Sequence, residues 1–240
     1  MLKKSWFIGL VFGILLASVL AGCDAIGPSD TTTTTHAATT TTTSTITSTS
    51  TSTSTTTTMV LTKDYYPNAD GDVWIYQLLT FMSGSTTEST AEATFNGTQV
   101  VDGLTAQIQI ISGGALETQE ALIIATNSDV KEYGSPDGPT TEANIRDLRF
   151  PSVVGDRWEY DLVDDITTTE PLAVESINVP AGTFNCFKVR IVGPSGPTGY
   201  PANIYWYAKD VGVVRRITGY FYTSGAEVAT LTLNLKSKNF

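Results

Sequence analysis

The sequence predicts an all-β domain: an antiparallel curved sheet, or an incomplete barrel or sandwich, built from two similar β-rich halves. Three observations predict it. After Leu61, apolar and polar residues alternate with a period of two, as in "TAQIQII" (Thr105–Ile111), "FKVRIV" (Phe187–Val192) and "AEVATLTLNL" (Ala226–Leu235). Turn chemistry punctuates these runs: Asn96-Gly97 suits a tight hairpin turn, and "GPSGPTGYP" (Gly193–Pro201) reads as a loop. Finally, one motif is written twice. "YPNADGDVWIY" (Tyr66–Tyr76) and "FPSVVGDRWEY" (Phe150–Tyr160) share aromatic-Pro-x-x-x-Gly-Asp-x-Trp-x-Tyr at an offset of 84 positions.

The first element is not part of that domain. Met1 to Leu20 has a short basic head, Lys3 and Lys4, then an apolar run from Trp6 to Leu20. This is the layout of a secretory signal, and the run is short for a spanning helix. It closes on "LAGC", Leu20-Ala21-Gly22-Cys23, which resembles the lipobox of prokaryotic lipoproteins. The resemblance implies that residues 1–22 are removed and that Cys23 carries a thioether-linked diacylglycerol as the first mature residue. The competing readings are a plain signal peptide with a chance cysteine, or an uncleaved anchor. The chain has two cysteines, Cys23 and Cys186, so a lipidated Cys23 leaves no internal disulfide.

Charge narrows the partners. The net charge is −10, and removing residues 1–22 takes away Lys3 and Lys4 and no acid, leaving −12. Such a surface repels phosphate backbones, and no Lys/Arg-rich stripe offsets it. Nucleic-acid binding is therefore not expected, nor adhesion to anionic lipid through basic patches. The membrane link is the lipid itself.

Residues 23–60 form the second element, a lipidated N-terminus and tether. Residues 31–58, "TTTTTHAATTTTTSTITSTSTSTSTTTT", contain one sizeable apolar side chain, Ile46. Such a composition does not offset the entropy of ordering the backbone, so a disordered tether is expected. About 38 residues of flexible coil span roughly 35 Å on average, and roughly 120 Å pulled straight. Ser/Thr-rich stalks also carry O-glycans; whether this one does is left open by the composition.

The two halves follow, drawn at 61–144 and 145–240. The 180 residues from Leu61 to Phe240 suffice for a substantial core without disulfides. In each copy of the doubled motif a proline ends an incoming segment, Gly-Asp makes a turn, and Trp and Tyr share one face of the outgoing strand. Trp74, Tyr76 and Leu78 do this in the first copy, Trp158, Tyr160 and Leu162 in the second. Further on, "DGLTAQIQI" (Asp102–Ile110) is placed like "AGTFNCFKVRI" (Ala181–Ile191), and "IIATNSDVKEYG" (Ile123–Gly134) like "WYAKDVGVVRRITG" (Trp206–Gly219).

"FPSVVGDRWEY", "VPAGTFNCFKV" and "YWYAKDVGVVRR" together resemble a widespread set of bacterial secreted proteins and lipoproteins that belong among domains of unknown function. The resemblance covers Phe150 to Gly219 well and the first half weakly: the first copy lacks Val-Pro-Ala-Gly-Thr-Phe and has Asn127-Ser128-Asp129-Val130 where the second has Asp210-Val211-Gly212-Val213. It implies export and a curved antiparallel sheet or incomplete barrel. It implies no reaction.

The search for chemistry returns little. The only histidine, His36, lies in the tether, so the domain has no imidazole for a nucleophile–base pair or a metal site. "NADGD" (Asn68–Asp72) fails as a calcium loop, since Val73 and Leu79 stand where glycine and glutamate are needed. "DLVDD" (Asp161–Asp165) reads as turn acids, and nothing singles out a catalytic pair among 24 acidic residues. No catalytic residue, cofactor or metal is expected. Cys186 shares a strand face with Phe184, Lys188 and Arg190; the two cations favour a reactive thiolate, whereas packing under a neighbour makes it inert. The aromatic residues Tyr200, Tyr205, Trp206, Tyr207, Tyr220, Phe221 and Tyr222 are either a platform for sugars or lipids or cross-strand core pairs.

The sequence therefore points to a non-enzymatic, exported, membrane-anchored envelope domain that binds or scaffolds an envelope protein, polysaccharide or lipid. The alternative is a carrier or sensor of a hydrophobic ligand in a half-barrel lined by Trp74, Trp158 and Trp206, with Tyr207 beside them. A carbohydrate-active enzyme is the third reading. Asp24 resembles the inner-membrane retention signal of enteric lipoproteins, while a long tether suits outward display; the sequence does not choose.

Overall fold

In a computed structural model the described residues are 59–137, 145–162, 165–193, 199–222, 224 and 227–240. The signal, Cys23, the tether and the tip of the 193–201 loop lie outside them. Twelve strands follow a single 3-10 turn, Lys63–Tyr65. They are β1 (Val73–Met82), β2 (Ser85–Val101), β3 (Leu104–Gly113), β4 (Leu116–Ala125), β5 (Asp129–Glu132), β6 (Ile145–Arg149), β7 (Trp158–Leu162), β8 (Asp165–Val179), β9 (Gly182–Val192), β10 (Gly199–Ala208), β11 (Gly212–Tyr222) and β12 (Glu227–Lys238).

All twelve belong to one curved antiparallel sheet, in the order β6-β5-β4-β3-β2-β1-β12-β11-β10-β9-β8-β7. Every chain neighbour pairs with the next except β6 with β7, and β12 returns to pair with β1 from Trp74↔Lys238 to Thr80↔Leu231. The sheet is thus an up-and-down barrel with one seam unmade. At that seam the edges approach, and the segment ahead of β1 bridges the gap: Leu61 N–H donates to Ser152 O at 2.7 Å, and Ser152 N–H to Leu61 O at 3.1 Å.

The two Gly-Asp turns have one geometry. Gly71 (φ +88°) and Gly155 (φ +95°) sit at the third position of a tight turn, where positive φ favours glycine. The carboxylate of Asp72 accepts from Ala69 N–H at 2.8 Å, and that of Asp156 from Val153 N–H at 2.9 Å. Each glycine N–H then reaches the second strand of its half, Gly71 to Phe95 O at 2.8 Å and Gly155 to Pro171 O at 3.0 Å. Trp74 and Trp158, two residues past each aspartate, are both buried.

Alternation runs as the sequence predicts along β1, where Trp74, Tyr76 and Leu78 are buried and the residues between them are partly open. Their face is the inner one, shared with Phe95, Ile123, Val130, Leu148, Phe187, Leu233 and Leu235 in the main core. A smaller core of Val101, Ala106, Leu122, Ile124 and Tyr133 covers the other face of the first half.

One expectation changes. Asn96-Gly97 is not a hairpin turn but lies inside β2, at the register shift between Phe95 and Thr98. Gly97 has φ +84° there and donates its N–H to the Asp70 carboxylate at 2.7 Å, so positive φ serves a bulge. The hairpin after β2 is instead Asp102-Gly103, with φ of +51° and +79°, the paired positive values of a type I′ turn. β6 pairs with β5, Val130↔Leu148 and Asp129↔Arg149, so the first six-strand run ends at Arg149.

Candidate binding cleft

Residues 59–67 lie against the inner face of the sheet. Leu61 is fully buried and Tyr65 and Tyr66 nearly so. Tyr65 meets the Phe187 ring edge-on at 5.3 Å, and Tyr66 lies 6.3 Å from Phe95 and 6.4 Å from Tyr207. Asp64 fastens the outside of this plug, with its carboxylate 3.2 Å from Lys209 Nζ and its carbonyl accepting from Asp210 N–H at 2.8 Å. Burial raises the Tyr65 phenol above its ordinary value, against the opposing charge of Lys209.

The plug leans toward β9 and β10, whose inner residues Phe187, Val189, Tyr205 and Tyr207 are large. The matching face of β3 and β4 carries Thr105, Gln107, Ala121, Ile123 and Ala125. Small and polar side chains leave space there, and a cleft of about 520 Å³ results. Its floor is Gln107, Ile123 and Ala125, its rim Thr105 and Lys63, and its wall the turn from Pro67 to Asp72. The volume lies within the range of small-molecule sites. The Gln107 Oε1 atom is buried without a hydrogen-bond partner among the described residues. A second cleft, about 310 Å³, sits at the open seam between Arg149, Phe150, Arg157 and Trp158.

The aromatic residues predicted to face a ligand are packed instead. Trp74 is 4 % exposed, donates Nε1–H to Val211 O at 2.7 Å and meets Phe95 and Phe240 edge-on. Trp206 is 5 % exposed, donates Nε1–H to Glu175 Oε1 at 2.6 Å and lies under Lys188 and Arg215, 5.2 and 5.8 Å from the ring. Tyr207, its chain neighbour, points to the opposite face against Tyr66 and Tyr205. Trp158 lines the seam cleft. The three tryptophans therefore do not line one cavity.

Cys186 is fully buried. Burial pushes its thiol up to about 12, and the nearby Arg215 only offsets part of that. A thiol held protonated is inert, so the reactive reading fails here. The acids of "NADGD" cap backbone N–H groups at Gly97 and Ala69. Among the described residues no three acids, cysteines or histidines gather as metal ligands.

Sequence reasoning missed an interior polar knot. Arg216 Nε and Nη2 donate to Asn203 Oδ1 at 3.3 and 3.1 Å, Thr218 Oγ1 donates to the same oxygen at 2.7 Å, and the guanidinium lies 5.4 Å from the Tyr205 ring centre. Burial raises the Glu132 carboxyl, with Arg216 pulling it back. Tyr76 donates to Val213 O at 2.9 Å, and burial raises its phenol too. The signal was present as Arg215-Arg216 inside an apolar strand; which of the two turns inward follows only from register.

Residues 165–218, from β8 to most of β11, match the DUF3108-like family model. Two solved structures are similar in fold. One is a protein of Bacteroides fragilis NCTC 9343 named as exported and YmcC-like in fold, at 16 % identity and TM-score 0.45, covering 73 % of this chain and 98 % of that one. The other, from Parabacteroides distasonis ATCC 8503, is named as a lipoprotein, at 17 % identity and TM-score 0.43, with the same coverage of each chain. No curated protein matches the chain.

Proposed function

We propose that this protein is a lipid-anchored domain of the cell envelope that binds a ligand without transforming it. The anchor rests on the first 23 residues: basic head, apolar run, small pair and cysteine in register. The observation that carries the binding reading is the 520 Å³ cleft over β3 and β4, lined by Gln107, Ala125 and the turn from Pro67 to Asp72. A non-enzymatic role is supported by how the convergent polar groups are used. Arg190 binds Glu170, Arg215 binds Asn234, and Arg216 binds Asn203, each a bond within the sheet.

The anchor is tested by mass spectrometry of the mature protein extracted from membranes. A diacylglycerol on Cys23 as first residue is the expected result; an unmodified N-terminus elsewhere overturns it. A carrier of a hydrophobic ligand is the competing reading, favoured by the aromatic interior. It is opposed by Leu61, Tyr65 and Tyr66, which already occupy that interior. Native mass spectrometry of protein purified without detergent separates the two: a co-purifying lipid favours the carrier.

A further inference from the structure

We infer that Arg216 and Asn203 on one wall of the sheet's hollow, with Glu132 on the wall opposite, form a site for the carboxylate of an organic acid. This site lies apart from the cleft of the binding reading and goes beyond it. The hollow opens toward the end that carries the β1–β2 and β11–β12 hairpins. Along β1 the inner residues run from Trp74, Tyr76 and Leu78, all buried, to Thr80, partly buried, and Met82, 63 % exposed. Along β12 they run from Leu235 and Leu233, buried, to Leu231, only partly so. The plug sits toward the other end, where Tyr65 and Tyr66 meet Phe187, Phe95 and Tyr207, and it leaves this mouth uncovered.

Charge selects the ligand. Arg216 shares the inner face with its partner Leu233 and stays partly exposed. Arg157, Lys188, Arg190 and Lys209 each hold a carboxylate, but Arg216 spends Nε and Nη2 on the neutral amide of Asn203 and has no ion pair among the described residues. Asn203 Oδ1 already accepts three bonds, so Nδ2 is left as a donor beside Arg216 Nη1. A cation in a hollow without a counter-charge attracts an anion. Glu132 faces it: β5 is second and β11 eighth in the strand order, on opposite walls, and Glu132 shares the inner face with Val130 and its partner Ile123. It too is partly exposed, with no hydrogen bond or ion pair among the described residues. Arg216 is the charge that acts on it, since its strand partners Ile123 and Ile145 carry none. Tyr76 on β1, the other titratable group that Arg216 acts on, is spent on Val213 O. Burial raises the Glu132 carboxyl, which favours an O–H there when an anion arrives. These donors suit a carboxylate, which brings one charge to one cation. A phosphate brings two and sets the second beside an acid.

The test is calorimetry and amide NMR of the full chain, titrated with acetate, glucuronate, octanoate, glucose and phosphate. All three carboxylates are expected to give saturable shifts at Asn203, Arg216 and Thr218, with a proton taken up on binding and affinity falling as pH rises. Equal affinities mean that the carboxylate alone is read; a tighter glucuronate names an acidic sugar as its source, a tighter octanoate an acyl chain. Each of these supports the site. Silence from the carboxylates, or saturation by phosphate or glucose alone, overturns it and leaves the cleft over β3 and β4 untouched. Arg216→Gln is expected to weaken acetate roughly tenfold or more, the loss of a charged hydrogen bond. Glu132→Gln should abolish the proton uptake, and an unaltered pH dependence overturns the part given to Glu132. If Arg216→Gln does not fold, Asn203→Asp keeps the bonds to Arg216 and Thr218 and supplies the missing counter-charge. It must abolish acetate binding without lowering Tm; retained binding overturns the site.

Discussion

The halves β1–β6 and β7–β12 begin alike and finish differently. Each opens on the same Gly-Asp turn, with the same carboxylate cap and the same glycine N–H bond to the second strand. The first half then ends in strands of 4 and 5 residues, the second in strands of 11 and 12. The long β12 reaches β1 and makes a full ladder; the short β6 makes none with β7. Their interiors differ in the same sense. The second half offers Phe187 and Tyr207 to the plug and the first offers Phe95; farther along, on β3 and β4, the first half carries Thr105, Gln107, Ala121 and Ala125 and keeps a cleft. Shared turns set the layout, and the difference in side-chain volume decides where the inner face packs tightly and where it keeps a cleft.

Removing either tryptophan tests that comparison with the largest expected effect. Trp74→Ala and Trp158→Ala should each cost about 3–5 kcal/mol in denaturant melts. Trp74→Ala loses, besides the buried ring, the Val211 hydrogen bond and two edge-on ring contacts. A variant of either tryptophan that is as stable as the wild-type protein would break the account. Asp72→Ala and Asp156→Ala sharpen it. Each frees one backbone N–H, at about 1 kcal/mol, and two equivalent turns must give similar losses. A clear inequality would mean that the turns share geometry but not weight.

A smaller effect separates the buried face of β9 from the plug side. Burial pushes the Cys186 thiol up to about 12 in the fold, above an ordinary thiol at about 8.5. Because its folded value is raised, the stability linked to it is complete below about pH 8.5 and falls as pH rises toward 12. The slope is about 1.4 kcal/mol per pH unit for one proton. Cys186→Ala should remove that slope from stability measured between pH 8.5 and 10. Iodoacetamide at pH 8 should label the thiol in urea and leave it intact in the native protein; rapid native labelling would contradict its burial.

Local chemistry was legible in the residues. Period two made strands, the doubled Gly-Asp motif made two turns, and Leu233 and Leu235 went inward as their alternation required. Asn96-Gly97 misled, because the same positive φ serves a hairpin or a bulge, and only the partner strand distinguishes them. Tryptophans read as ligand-facing became core for a related reason. A large ring is equally suited to both roles, and which neighbours cover it is a property of the assembled sheet.

By itself the sequence determined an all-β class and a pair of similar openings. Those depend on contacts between residues close in the chain, where spacing alone fixes geometry. The tertiary structure alone decided that β12 meets β1 while β6 stops short of β7, that Leu61, Tyr65 and Tyr66 fill one side of the interior, and that Gln107 faces a cleft on the other. Each depends on residues tens to more than a hundred positions apart, such as Tyr65 and Phe187, whose meeting is set by strand register and curvature and leaves no local mark in the chain.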